Sequence, residues 1–316
     1  MDGEGINLVE LMRRFSTEED ARAYLEALRW PDGPVCPRCG SVKGAYKLTP
    51  KATSKKPGRA GLYKCRDKDC RSQFTVTVGT IFEDSHIPLS KWVLTIHLMC
   101  ASKKGISAHQ IHRMLDVTYK TAWFMCHRIR YAMSEEPLRS KLSGIVEADE
   151  TYVGGKTRAY AKGRSTKKKV PVVALVERGG RVKSRPVKRV TTANLNRAFH
   201  DYVEPGTRIM TDEWPAYQNL DIAFQNRETV RHGANEYVRG EAHVNTAEGY
   251  FSLLKRGIVG TYHHVSPQHL HRYCDEFDFR YNGRKVEDGV RAVLAVKGAE
   301  GKRLMYRDPT ANGRAV

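Results

Sequence analysis

The stretch Ile145–Lys156, "IVEADETYVGGK", decides how the C-terminal half of this chain is read. Apolar residues run into Glu147, Asp149 and Glu150, and cations follow at once from Lys156. The pattern predicts a β-strand that ends in carboxylates. "KKKVPVVALVERGG" and "RVKSRPVKRVT" read as two more strands, joined as a hairpin at "RGGR", Arg178–Arg181. "TTANLNRAFHDYV" reads as a helix, and "TRIMTDEW" as a short strand ending in Asp212. "AHVNTAEGYFSLLKRGI", Ala242–Ile258, and "SPQHLHRYCDEFDFRYN", Ser266–Asn282, read as helices. In the second of these, Ser266 serves as cap and Pro267 sits in the first turn. Three strands, a helix, a strand and further helices make an α/β domain from about residue 141 to 285.

In an open α/β sheet, ligands gather at strand ends. Asp149 closes the first strand of this domain and Asp212 the fourth. Glu248 follows on the next helix, where Asn245, Glu248, Ser252 and Lys255 share one polar face. Ala247, Phe251, Leu254 and Ile258 line the opposite, buried face. A lone Asp at a strand end is ordinarily a cap or a solvated turn, and a lone Glu on a helix a solvated face. Three together in these contexts repel one another unless a cation binds among them. Mg²⁺, or Mn²⁺ in its place, suits oxygen ligands and keeps positions open for water and phosphate oxygens. Two such ions about 3.5–4 Å apart stabilise the attacking and leaving oxygens of a displacement at phosphorus.

The composition agrees. The chain has 316 residues, 40% of them hydrophobic, enough for a core and for two or three domains. Lys and Arg total 54 against 35 Asp and Glu, a formal charge of +19. A phosphate polymer is the expected partner, because neutralising phosphates releases counterions; the alternative is a soluble basic protein with no such role. No apolar run approaches the roughly 18 residues of a membrane span. The N-terminus lacks the pattern of a signal peptide, so the cytoplasm is the expected location and no membrane partner is expected.

Ahead of the α/β domain, residues 7–29 read as helical, with Ser16 and Glu19 as a capping box opening a second helix. "CPRCG" and "CRDKDC" then place Cys36, Cys39, Cys65 and Cys70 in two close pairs. That spacing predicts a tetrahedral structural Zn²⁺ that staples a small ribbon. "QFTVTVGTIF", Gln73–Phe82, alternates and is read as completing the strands of that ribbon. Cys100, Cys126 and Cys274 read as packed thiols. Gly105–Met133 reads as a helix, a turn at Asp116–Thr118 and a second helix, the shape of a helix-turn-helix. Lys120, Thr121, His127, Arg128 and Arg130 on the second helix suit phosphate and base-edge contact. Seven Lys or Arg and no acid lie in Lys156–Lys169, including Lys167, Lys168 and Lys169. This stretch is expected to track a DNA backbone, the alternative being a solvated loop. The resulting division is N-terminal helices at 1–30, zinc ribbon at 31–85, helix-turn-helix region at 86–140, catalytic domain at 141–285 and a tail at 286–316.

"VEADETYVGGK", "IMTDEWPAY" and "HVNTAEGYFSLLKRGIVGTYHH", behind "CPRCG…CRDKDC…FTVTVGTIFEDSHIPLSKW", resemble the insertion-sequence DDE transposases that carry an N-terminal zinc ribbon (ISXO-like). The resemblance covers roughly residues 15–285. It implies an RNase H-like mixed sheet with flanking helices, and divalent-metal-dependent cutting and joining of DNA. Asp149 and Asp212 match the first two catalytic carboxylates, and Glu248 the third. Lys255 matches the basic residue that holds DNA phosphate near the site. Transposon terminal inverted repeats and target DNA are the implied substrates. Joining two ends in concert calls for a homodimer or larger assembly. The competing expectations are a metal-dependent nuclease or resolvase on the same fold, and a catalytically inactive DNA-binding regulator.

Overall fold

The computed structural model describes residues 7–42, 44–49, 60–134, 141–154, 169–224 and 226–305. The chain forms two compact units. The first holds the N-terminal helices, the cysteine-bearing ribbon, the paired helices of 108–133 and a C-terminal helix, Asp288–Lys297. The second holds the α/β domain.

In the first unit, α1 (Leu8–Arg14) is capped by Asn7, whose Oδ1 accepts the Glu10 N–H at 3.0 Å. The cap of α2 (Glu18–Arg29) is Thr17, one residue beyond the expected Ser16. Its Oγ1 accepts the Asp20 N–H at 3.1 Å. Ala21 and Leu25, one turn apart, are the buried residues of α2. The ribbon is a small antiparallel sheet of β1 (Ala45–Lys47), β2 (Tyr63–Cys65) and β3 (Gln73–Phe74), in that order. Trp30 packs edge-on against Tyr63 and Phe74, with ring centroids 5.2 and 5.8 Å away.

The long strand expected over Gln73–Phe82 is corrected: only Gln73 and Phe74 are strand, and turns follow. The β-branched residues there close local bonds instead of ladder bonds. Thr80 Oγ1 donates to the Thr77 carbonyl at 2.6 Å, and Gly79 takes the left-handed region at φ 73°. Arg29 donates to the carbonyls of Val76 and Val78, both at 2.7 Å, so those groups need no neighbouring strand.

Helix α3 (Leu89–Ala101) buries Trp92, Ile96, Met99 and Cys100. It receives the C-terminal helix, which buries Ala292, Ala295 and Val296. The sequence reading assigns that region to a tail, since its apolar face is made of small residues and its partner lies nearly two hundred positions away. Helices α4 (Ala108–Leu115) and α5 (Tyr119–Met133) meet at Asp116, whose φ of 49° turns the chain sharply. Thr118 Oγ1 accepts the Thr121 N–H at 3.1 Å and opens α5. Cys100, Cys126 and Cys274 are buried thiols, as their surroundings suggested.

The second unit is built on one five-stranded sheet. Its strands are β4 (Ile145–Val153), β5 (Val170–Glu177), β6 (Val182–Pro186), β7 (Arg208–Thr211) and β8 (Arg227–Thr229), in the order β6-β5-β4-β7-β8. The β4–β5 and β5–β6 pairs are antiparallel, and β4–β7 and β7–β8 are parallel. This is the RNase H-like arrangement expected. The last strand has three residues among short turns, too few for periodicity to mark it. One face packs on α6 (Thr192–Tyr202) through Val146, Ala148, Leu175, Leu195 and Phe199. The other packs on α7 (Asn245–Gly257) and α8 (Leu270–Asn282) through Val172, Ala174, Phe251, Leu254 and Phe277.

Asp278 of α8 is buried beneath β6. The Ser184 N–H and Oγ donate to it at 2.7 Å each, and Tyr250 Oη at 2.6 Å. Burial raises its pKa to about 7, against the pull of these donors. Below about pH 4 the group is protonated in both the folded and the unfolded chain. Between there and about 7 the folded state alone keeps the proton, so stability falls as pH rises. Asp278→Asn is therefore expected to remove part of the decline in urea midpoint between pH 5 and 7.5. Identical pH slopes for the two proteins would refute this.

Candidate active site

The parallel pairing of β4 with β7 sets the geometry. Glu147 pairs with Met210. The ladder ends at that pair, and Asp149 and Asp212 each follow it by two residues on their own chains. Residues in register on parallel strands point to one face. Opposite Asp149 on the other side is Ala174. Ala174 faces α7, so Asp149 does too. Asp149 and Asp212 are both half-buried. Each carboxylate is oriented locally: Asp149 Oδ1 accepts the Glu150 N–H at 2.8 Å, and Asp212 Oδ1 the Trp214 N–H at 3.0 Å.

Burial, then the charges of Asp212 and Asp149, push Glu150 up to about 7. Tyr217 donates to Glu150 Oε2 at 3.0 Å. Its own phenol is raised well above the usual range by burial and by Glu150, Asp149 and Asp212. Glu150 is thus the carboxylate that touches buried Tyr217, while Asp149 and Asp212 act on it through charge alone. Arg227 is held down by burial and up by Asp212, and it donates to Thr211 Oγ1 at 3.2 Å beside that aspartate.

Glu248 lies in the first turn of α7 and is exposed. Lys255 is exposed seven positions on, which at 100° per residue returns it to nearly the same face. Ala247, Phe251, Leu254 and Ile258 are buried as their spacing indicated. Asp149, Asp212 and Glu248 do not close as tightly as the cysteines. Among the described residues, Cys36, Cys39, Cys65 and Cys70 are the one group of three or more such ligands whose donor atoms all lie within 4.8 Å. The Cys36–Cys70 and Cys39–Cys65 sulfurs are each 3.7 Å apart, a four-thiol cluster of zinc-ribbon type.

The basic residues divide. Lys120 is exposed on α5. Arg128 and Arg130 are corrected: they are only 5% and 2% exposed. Arg128 donates to the carbonyls of Ile81, Glu83 and Leu304 at 2.7, 2.8 and 3.1 Å. A guanidinium is large and has five donors, so it can hold together several loops from inside, and charge in the sequence does not reveal this. His127 is buried as well. Lys167 and Lys168 lie outside the described residues, and Lys169 is half-buried at the start of β5.

Sequence reasoning counted Glu147 only among the acids of its strand, and passed over Arg178 and Tyr217 as site residues. Glu147 has 0% exposure. Its oxygens accept from Arg178 Nε at 2.7 Å, Thr246 N at 2.7 Å, Thr246 Oγ1 at 2.8 Å and Ala247 N at 3.1 Å. A signal was present, since Glu147 and Asp149 stand two apart on one strand and so face the same way.

Comparison with known proteins gives a consistent picture. Residues 141–282 match the ISXO2-like transposase domain, and residues 16–73 the transposase zinc-ribbon domain. An uncharacterized protein in transposable element ISH50 of Halobacterium salinarum is 32% identical over 290 residues, covering 85% of this chain and 92% of that protein. A simian T-cell lymphotropic virus intasome in complex with the PP2A regulatory subunit B56 gamma aligns over 54% of this chain and 63% of its own, at 16% identity. Its TM-score is 0.27, too low to bear on the site. Among the described residues, no helix is long and apolar enough to cross a membrane.

Proposed function

Since this chain belongs to the ISXO2-like transposase family, we propose that it cuts DNA at transposon ends and joins the freed 3′-hydroxyl to target DNA. The observation that carries the reading is the parallel β4–β7 ladder, whose last pair, Glu147–Met210, is followed two residues on by Asp149 and Asp212, with Glu248 on α7, the helix packed on the sheet face that Asp149 shares. The donor set is all carboxylate oxygen, which fits a hard cation such as Mg²⁺ or Mn²⁺. Bound there, the cation supplies charge stabilisation for an in-line displacement at phosphorus.

Asp149, Asp212 and Glu248 hold that charge in place. Water oxygen bonds to phosphorus as the P–O3′ bond breaks, and the leaving 3′-oxygen ends as a hydroxyl. In joining, that hydroxyl oxygen bonds to a target phosphorus, and the target's own 3′-oxygen leaves. No covalent bond to the protein is required. Lys255 sits two turns beyond Glu248 to hold a phosphate beside the reacting one, and Lys120 on the first unit and Lys169 on the second are further phosphate contacts, each on its own unit. The terminal repeats and target DNA are the substrates, and paired ends call for at least a dimer.

The test is a strand-transfer assay with labelled end DNA, with Mg²⁺, with Mn²⁺ and with EDTA. Joining that needs metal supports the proposal. Metal-dependent cleavage without joining identifies a nuclease. Salt-sensitive binding with no cleavage on any flanked end identifies a regulator.

A further inference from the structure

Helix α7 lacks a cap of its own. Its N-cap residue is Val244, which has no side-chain acceptor for the open N–H groups of the first turn. The acceptor comes from Glu147, about a hundred positions earlier on β4. One carboxylate takes the Thr246 and Ala247 N–H groups and the Thr246 hydroxyl. The residue after Ala247 is Glu248. Two residues beyond Glu147 on its own strand, and on the same face, is Asp149.

Arg178 closes the arrangement from the β5–β6 turn. Its Nε donates to Glu147 Oε1 at 2.7 Å, and its Nη2 to the His243 carbonyl at 3.0 Å. The guanidinium thus neutralises the buried charge and fixes the chain entering α7. His243 Nδ1 lies 3.2 Å from Glu147 Oε1. Every acceptor direction of this fully buried carboxylate meets a partner from the turn or from the α7 N-terminus.

We propose that Glu147 is a positioning residue that sets the distance between Asp149 and Glu248, and hence the affinity of the site for its divalent cation. The inference rests on the proposed function. A helix that carries one ligand and packs on a strand carrying another is held by apolar contacts that are strong but non-directional, so they do not by themselves fix the position of its first turn. A buried charged bond to its first turn is directional and ties the two ligands to one framework. Groups that orient metal ligands typically alter metal affinity or activity about 10–100-fold when changed.

The test uses the full zinc-loaded chain. Glu147→Gln keeps the shape but turns one oxygen into a donor that faces donors. Thr246→Ala removes a single hydroxyl, and Thr246→Ser restores it. Three quantities are read: amide hydrogen exchange of residues 244–250 without divalent cation, Mn²⁺ half-saturation without DNA, and single-turnover end cleavage beside end-DNA affinity. Glu147→Gln is expected to speed exchange, to raise the Mn²⁺ half-saturation about tenfold and to slow cleavage by a similar factor, with DNA affinity within about twofold. Thr246→Ala is expected to do the same to a smaller degree, and Thr246→Ser to return wild-type values. Should Glu147→Gln not fold, the Thr246 pair carries the test. Faster exchange with wild-type Mn²⁺ half-saturation overturns the proposal and leaves Glu147 as a helix cap only. Failure of the functional reading looks different: wild type itself then shows no metal-dependent cleavage, and the positioning role falls with it.

Discussion

Asp212→Asn is expected to reduce end cleavage and joining by about a thousandfold or more, while end DNA still binds. The amide keeps the shape of the carboxylate and the Oδ1 acceptor for the Trp214 N–H at 3.0 Å, so the turn after β7 persists. What it removes is one full negative charge from a cluster whose work is to hold a cation. Metal-assisted stabilisation of the transition state is worth several kcal/mol, and each 1.36 kcal/mol is a factor of ten in rate. Losing about 4 kcal/mol gives the stated factor. Single-turnover cleavage with Mg²⁺ and with Mn²⁺, beside a binding isotherm, measures both halves of the expectation. A variant that cleaves within tenfold of wild type removes Asp212 from the catalytic set.

Stripping metal from the four cysteines is expected to unfold the ribbon. Its strands have only three, three and two residues. A sheet so small is marginal in water without a staple. The four sulfurs already lie within 4.8 Å of one another. Structural zinc binding in small domains is worth about 10–16 kcal/mol at neutral pH, more than such a sheet can replace by packing. Chelation under reducing conditions, or Cys65→Ser, should release about one zinc per chain. The amides of β1, β2 and β3 should then exchange freely. Zinc content by mass spectrometry, read beside hydrogen exchange, is the measurement. Ribbon amides that stay protected in zinc-free protein would show that Trp30, Tyr63 and Phe74 suffice to hold it.

Much of the molecule was legible because its signals are local. The paired cysteines, the turn at Asp116 and the alternation into Asp149 are each carried by fewer than ten neighbouring residues. The four- and three-residue spacing of Ala247, Phe251 and Leu254 marked the buried face of α7 correctly. Errors came where a local pattern met a distant partner. Gln73–Phe82 looks like a strand by alternation, but Arg29 takes the carbonyls of Val76 and Val78 that a neighbouring strand would have used. Arg128 and Arg130 look like DNA contacts by charge, yet they lie inside the first unit. The helix Asp288–Lys297 buries only small residues, and its face acquires meaning only against α3.

The sequence by itself determined the candidates: Asp149, Asp212, Glu248 and Lys255 for an active site, and Cys36, Cys39, Cys65 and Cys70 for zinc. Their type and spacing are local properties, although Asp149, expected to close its strand, lies at the middle of β4, and only Asp212 directly follows a strand end. Only the tertiary structure decided that β4 and β7 pair in parallel, because that register forms between segments some sixty positions apart. It alone revealed that Glu147 caps α7 and that Tyr217 sits against Glu150, because a buried polar group is satisfied by whatever donor the fold brings to it. That donor can come from any position in the chain, so the spacing of neighbours does not encode it.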